Sequence, residues 1–309
     1  MKAAVLEAPR RVALHGCEPP EPAPGEVRVE LEGAGICASE LPVWEGREWF
    51  DYPRAPGTPG HEGWGRIEAL GAGVNGLTAG ERVALISEHA HAEYDLAPAA
   101  AVVPLPAAIE GPFPGEPLAC AVNAMRRAGV RRGDRVAILG AGFQALLLAQ
   151  LCAPLVAELA VISRRPTALE YAAAAGADTL WRWGDPEIER AEPFDVVIEA
   201  TGYGEPLEVA GRLTRIRGRL VIVGFHQDGR RNIDLQLWNW RGLDVINAHE
   251  RDPAVYAEGL RLAVEAVLEG RLRPGPLLTH EFELEELGEA YATAARGPDG
   301  FVKAIWRRG

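Results

Sequence analysis

The sequence predicts an α/β protein in which a compact β-domain precedes a doubly wound parallel sheet. Three observations carry this. Residues 1 to about 110 hold short apolar or alternating runs, at 3–5, 26–31, 65–70 and 82–86. Turns such as Pro24-Gly25 and Gly71-Ala72-Gly73 cut them apart, the pattern of a small β-domain. From about residue 117 the rhythm changes to strand, helix, strand, helix, which implies parallel pairing with crossover helices. Finally, Gly140-Ala141-Gly142-Phe143-Gln144-Ala145 follows an apolar strand and opens a helix, the context in which a G-x-G-x-x-A run binds a dinucleotide.

Taken in order, residues 135–139 form a buried strand and 145–155 an apolar helix. Residues 159–162 read as the next strand, and 166–175 as a helix with Pro166 in its first turn. Strands follow at 195–200 and 219–223, and 243–247 reads as the edge of the sheet. A helix at 260–268 leaves it. The last stretch, with Phe282, Leu284, Leu287 and residues 301–306, is short and mixed, and is expected to return to the first domain. The expected division is therefore 1–115, 116–255 and 256–309.

A chain of 309 residues can bury a large core. Its 32 basic and 44 acidic residues leave a net charge of -12, which argues against nucleic acid or an acidic membrane as partner. No apolar run reaches about 18 residues, so no membrane-spanning helix is expected. Met1-Lys2-Ala3-Ala4-Val5 reads as a strand and not as a signal peptide. Cys17, Cys37, Cys120 and Cys152 lie far apart and suggest no disulfide framework. These features together suggest a cytoplasmic enzyme acting on a small molecule.

Two segments carry metal chemistry. Gly60-His61-Glu62-Gly63 offers an imidazole and a carboxylate between glycines, and Gly35-Ile36-Cys37-Ala38-Ser39-Glu40 offers a thiolate. Brought together, Cys37 and His61 make two thirds of a catalytic zinc site, which keeps three protein ligands and one open position. A lone Cys37 is otherwise an ordinary buried residue. The cofactor is read at the end of the second strand of the parallel sheet. About 20 residues after the glycines, NAD-binding sheets place an acid on the ribose diol. Here Ser163-Arg164-Arg165 stands instead, and a hydroxyl with two guanidiniums suits a 2′-phosphate. NADP is expected, with NAD possible.

These motifs, with Gly71-Ala72-Gly73-Val74 leading into Gly80-Glu81-Arg82-Val83, then Glu116-Pro117-Leu118 and Glu199-Ala200-Thr201-Gly202, resemble the medium-chain, zinc-type alcohol dehydrogenases nearly end to end. Glu116-Pro117-Leu118 followed by Arg126-Arg127 is most similar to the polyol (sorbitol) and threonine dehydrogenase branch. The resemblance implies a GroES-like catalytic domain, a Rossmann domain and a returning C-terminal segment. It also implies reversible conversion of a secondary alcohol, such as a polyol, sugar or aryl alcohol, to its carbonyl. Cys37 and His61 would bind zinc, with Glu62 a ligand or exchangeable neighbour. Glu116 would be the third firm ligand, with Cys120 the alternative. Ser39 would handle the substrate proton, and Glu40, where the family usually has Asp, would orient His61. Gly140, Gly142, Phe143 and Gln144 would hold the pyrophosphate, Ser163, Arg164 and Arg165 the adenosine end. Thr201, Gly224, Phe225 and His226 would lie beside the nicotinamide. A homodimer or homotetramer is implied by the edge strand.

Departures sharpen the expectation. No Cys lies between Cys37 and Cys120, so one catalytic zinc and no structural zinc is expected. His89 and His91 alternate along a strand-like run, one exposed and one packed. Pro42 stands where some relatives carry a relay His. Trp44, Trp49, Phe50 and Trp64 fit either a pocket or the core, as do Trp238 and Trp240. Two other readings remain open at this level: a zinc-free quinone or enone reductase on the same fold, and a non-catalytic NADP-binding sensor.

Overall fold

In the computed structural model, which describes residues 1–309, the chain opens with an antiparallel hairpin of β1 (Lys2–Ala8) and β2 (Arg11–Gly16). The polar composition around β2 hides that second strand from sequence reading. Strand β3 (Glu26–Gly35) alternates until its end, so Val27, Val29 and Leu31 share the buried face. After the short helix α1 (Leu41–Glu45) come β4 (Glu62–Leu70), β5 (Arg82–Leu85), β6 (Tyr94–Pro98) and β7 (Val102–Pro104). Helix α2 (Gly115–Ala128) follows.

The parallel part comprises β8 (Arg135–Leu139), α3 (Phe143–Cys152), β9 (Glu158–Ser163), α4 (Pro166–Ala174), β10 (Thr179–Arg182), α5 (Glu187–Arg190) and β11 (Phe194–Glu199). It continues with α6 (Gly204–Leu213), β12 (Thr214–Ile222), α7 (Leu235–Arg241) and β13 (Asp244–Asn247). All neighbouring strands are parallel, in the order β10-β9-β8-β11-β12-β13. That is the doubly wound 3-2-1-4-5-6 order, whose direction of winding reverses between β8 and β11. Its strands read as continuous apolar runs because both faces are covered: Ala137, Leu139, Ile162, Val197 and Leu220 are all buried in one core with Trp238.

The chain then adds α8 (Pro253–Leu268), β14 (Leu278–Phe282), α9 (Leu287–Arg296) and β15 (Lys303–Arg307). Strand β15 pairs antiparallel with the end of β3 and parallel with β14. The resulting sheet runs β14-β15-β3-β4-β5-β7, with β6 also on β3. Two compact units result: Met1–Ala119 with Asp252–Gly270 and Pro274–Gly309, and Cys120–Arg251 with Arg271–Arg273. No helix is long and apolar enough to cross a membrane.

Two local expectations are corrected. Helix α3 starts at Phe143 rather than Ala145 and ends at Cys152, so its first turn abuts the glycines. The run holding His89 and His91 is not a strand. Its backbone bonds run elsewhere: Ala90 N–H to Gly60 O, His91 N–H to Gly57 O, and Ala4 N–H to His91 O. The loop is stitched to the segment before His61, which satisfies backbone groups that a ladder would otherwise take. His89 is exposed and His91 is buried.

Candidate active site

Cys37 ends the β3 connection and His61 immediately precedes β4, whose first residue is Glu62. Because β3 and β4 pair with Gly35 opposite Glu62, the two motifs meet. The thiol, imidazole and carboxylate donor atoms lie within 4.8 Å of one another. A Cβ on Gly35 would stand 1.8 Å from Glu62 Oε2, so only glycine leaves the carboxylate its place. Cys37 and His61 remain half-buried, whereas Glu62 is fully buried.

His61 Nδ1 donates to Pro59 O at 2.9 Å and lies 3.3 Å from Glu40 Oε1. A carbonyl only accepts, so Nδ1 carries a proton, and Nε2 is the nitrogen a metal would take in place of a second proton. Burial disfavours charge on this ring, yet Cys37, Glu116 and Glu40 raise its proton affinity well above the ordinary imidazole value. The surroundings therefore call for a cation. Glu62 Oε2 points the same way, being buried with no hydrogen-bond partner. A sulfur, an imidazole and a carboxylate suit zinc, so the residues fit the metal that the family resemblance implies.

Glu62 Oε1 accepts from Lys303 Nζ at 2.6 Å, and both groups are buried. Burial pushes the Glu62 carboxyl up, with Lys303 opposing. Burial likewise works against the Lys303 ammonium, but Glu62 and then Cys37 hold it above the usual lysine value. Breaking such a pair from one side strands a buried charge. In zinc-free protein, Lys303→Met is expected to cost about 3–5 kcal/mol, and adding Glu62→Gln to recover most of it. Urea unfolding of both variants checks this; equal stability of the single and double variants would refute it.

Glu116 accepts from the Tyr256 hydroxyl of α8. It lies near enough to raise both His61 and Glu62, but its carboxylate is outside the three-donor cluster. Cys120 belongs to the second unit. Ser39 Oγ donates to Cys37 Sγ at 3.1 Å. Glu40 is buried, and burial opposes its ionisation. The His91 ring, His61 and the Tyr291 hydroxyl outweigh that and hold it below the ordinary carboxylate value.

In the parallel unit, Gly140 follows β8 with φ +110°, and a Cβ there would meet Thr201 Cγ2 at 3.1 Å. Gly142 caps α3, and Phe143 and Gln144 form its first turn, where free N–H groups and the dipole favour an anion. Ser163 ends β9 and accepts from Arg165 N–H at 3.3 Å. The Arg164 guanidinium lies 5.7 Å over the Tyr203 ring, and Arg165 Nη2 reaches Ala141 O at 3.4 Å. At the end of β11, buried Glu199 accepts from Thr201 N–H and Gly202 N–H, at 2.6 and 3.0 Å.

His226 is held by its neighbours in the loop after β12. Its Nε2 donates to Glu199 Oε2 at 2.9 Å, and its Nδ1 accepts from Arg231 Nε at 2.8 Å. Both ring nitrogens are engaged by the protein, so His226 locks the loop after β12. Phe225 is exposed and stacks on His249.

The alcohol dehydrogenase GroES-like domain model matches residues 23–145, and the zinc-binding dehydrogenase model matches residues 145–265. The chain belongs to the medium-chain zinc alcohol dehydrogenase superfamily. This dehydrogenase is 29% identical to sorbitol dehydrogenase of Homo sapiens over 340 residues, 95% of this chain and 92% of the relative. It also resembles the solved alcohol dehydrogenase rspB of E. coli CFT073, complexed with NADH, at TM-score 0.89 and 25% identity over 100% and 99% of the chains. A zinc-binding dehydrogenase of Sinorhizobium meliloti 1021 bound to NADP shares the fold at TM-score 0.87 and 24% identity, over 99% of each.

Within the dehydrogenase, most of the candidate pocket aromatics serve packing. Trp64 and Trp44 are buried, the latter stacked on Tyr291, and Trp238 is buried in the second core. Trp49 and Trp240 are exposed. Sequence reasoning missed Lys303, His91, Tyr256 and Tyr291. For Lys303 a signal existed: a lone cation inside the apolar run Phe301-Val302-Lys303-Ala304-Ile305-Trp306 needs a buried partner.

Proposed function

We propose that this protein interconverts a secondary alcohol, of the polyol, sugar or aryl type, and its carbonyl, using NADP(H) and one zinc ion. The observation that carries the reading is the Cys37–His61–Glu62 cluster with an orphaned buried carboxylate oxygen. When bound, zinc supplies Lewis-acid polarisation of the substrate oxygen. Cys37 and His61 hold it, with Glu62 and the neighbouring Glu116 as the carboxylate donors. Pro59 and Glu40 keep the His61 ring in the tautomer that offers Nε2. Ser39 passes the hydroxyl proton outward, using an oxygen that rests on Cys37 Sγ in this structure. Gly140, Gly142 and the first turn of α3 receive the pyrophosphate, and Ser163, Arg164 and Arg165 receive the adenosine phosphate. Thr201, Gly224 and Phe225 lie at the carboxyl ends of the parallel strands, where the nicotinamide is expected. Sorbitol dehydrogenase among the relatives supports the polyol class.

The test is a panel of polyols, sugars, aryl and aliphatic alcohols, read by nicotinamide absorbance with each cofactor and with zinc content measured in parallel. Activity that survives complete zinc removal would favour a zinc-free reductase instead.

Assembly belongs to the same reading. Strand β13 is an unpaired edge with Val245 exposed, and α7 before it exposes Leu235 and Trp240, the last at 87%. An apolar open edge invites pairing with a second copy about a two-fold axis. We expect light scattering at micromolar concentration to give the mass of two or four chains, and Val245→Lys with Trp240→Glu to give one. A monomeric unmodified protein would refute this.

A further inference from the structure

Behind His61 lies a closed chain of buried polar groups. Trp306 Nε1–H donates to His91 Nδ1 at 3.0 Å. His91 Nε2 lies 3.0 Å from Glu40 Oε2, and the Tyr291 hydroxyl donates to that same oxygen at 2.8 Å. The other carboxylate oxygen, Oε1, accepts no hydrogen bond from the protein and lies 3.3 Å from His61 Nδ1, so it acts on that ring by charge and contact. All four residues are at most 1% exposed. Each comes from a different place: Trp306 from β15, Tyr291 from α9, His91 from the loop stitched to Gly57, and Glu40 from the turn before α1.

The direction of every bond follows from chemistry. An indole N–H only donates, so His91 Nδ1 must hold a lone pair. The single ring proton is then on Nε2, aimed at Glu40. Two donors therefore saturate Oε2 from behind and leave Oε1 turned toward the metal half-site. Only a side chain with an acceptor and a donor set apart can keep both bonds at position 91. The extra methylene of Glu over the Asp usual in the resembling family gives this carboxylate greater reach.

We propose that His91, with its tautomer set by Trp306 and its grip shared with Tyr291, is a positioning residue that orients His61 through Glu40. The proposal rests on the zinc reading above. It makes His91 part of the metal site's support, although it touches neither metal nor substrate.

The experiment compares wild type, His91→Phe, His91→Gln and Trp306→Phe, each with and without zinc. Zinc release to a colorimetric chelator is timed well below the melting temperature, and ring-nitrogen correlation spectra of the zinc-free proteins, recorded at a pH high enough for the His61 ring to be neutral, report the His61 and His91 ring protons. His91→Phe keeps a ring of similar size but no hydrogen bond, and is expected to speed zinc release by about 10- to 100-fold and to shift and broaden the His61 ring-nitrogen signals, while Pro59 O still holds the Nδ1 proton. His91→Gln is expected to return both readouts close to wild type, because an amide accepts from Trp306 and donates to Glu40. Trp306→Phe should leave His61 less affected and shift the His91 Nδ1 signal, with the Nε2 proton still held against Glu40. A His91→Phe protein that melts earlier while releasing zinc at the wild-type rate, with an unchanged His61 spectrum, would overturn the proposal: the network would then be core packing. Should His91→Phe fail to fold, a Trp306→Phe protein whose His91 spectrum and zinc release both match wild type overturns it equally. A wild-type protein that binds no zinc would instead defeat the metal reading, while the zinc-free spectra still decide whether His91 orients His61.

Discussion

Cys37→Ala is expected to yield a folded protein that holds no zinc and has kcat/KM lower by about three orders of magnitude or more. Cys37 supplies one of three donors within 4.8 Å, and a catalytic zinc site normally needs three protein ligands. The metal's Lewis-acid role is worth several kcal/mol of transition-state stabilisation. At 1.4 kcal/mol per tenfold, losing about 4 kcal/mol removes about a thousandfold. The fold survives because the first unit is built on Val27, Val29, Leu31, Ile67, Val83 and Leu85 with Tyr291 and Trp306, all buried without help from a metal. Elemental analysis, circular dichroism and steady-state kinetics check the three parts. The same assay on Glu116→Gln and Cys120→Ser separates the two carried-over candidates: Glu116 acts electrically on both His61 and Glu62, so its loss is expected to weaken zinc binding more. Two zinc ions per chain would contradict the single-site reading, and an active, zinc-loaded Cys37→Ala would end it.

Ser163→Asp with Arg164→Ala is expected to swing cofactor preference from NADP toward NAD. Ser163 ends β9, beside the turn that carries Arg164 and Arg165. A 2′-phosphate carries roughly two negative charges, and a charge-assisted hydrogen bond contributes on the order of 1.5–3 kcal/mol. Arg165 leans toward the fingerprint turn and Arg164 rests on an exposed Tyr203. Two such contacts, discounted for solvent, favour NADP by about 10- to 100-fold at 1.4 kcal/mol per tenfold. The substituted carboxylate would accept from the ribose diol and repel the phosphate. The ratio of kcat/KM for the two cofactors, before and after, is the measurement. Relatives of known structure carry either NADH or NADP, so the ratio is informative in both directions; an unmodified enzyme that prefers NAD would show that these guanidiniums face solvent.

Much of this was legible along the chain because it is local. Period and apolar runs mark β8 at its observed bounds, and Pro166 marks the start of α4. The glycines around Cys37 and His61 announce tight turns and close backbone approach, and Ser163-Arg164-Arg165 announces charge at a known strand end. The His89–His91 run misled because its alternation mimics a strand, while the backbone bonds that decide the matter go to Gly57, Gly60 and Ala4, far away in sequence.

What the sequence by itself determined is the strand–helix alternation of the parallel sheet and the Cys–His–Glu donor types that come together, since each depends on residues within a few positions of one another. What only the tertiary structure decided is who stands behind the site. Lys303 meets Glu62 from 241 positions away, and Tyr291 meets Glu40 from 251. Those partners are chosen because burial makes an unpaired charge or donor costly. Which group satisfies it depends on strand register and on the returning β15, and neither is written in any local pattern.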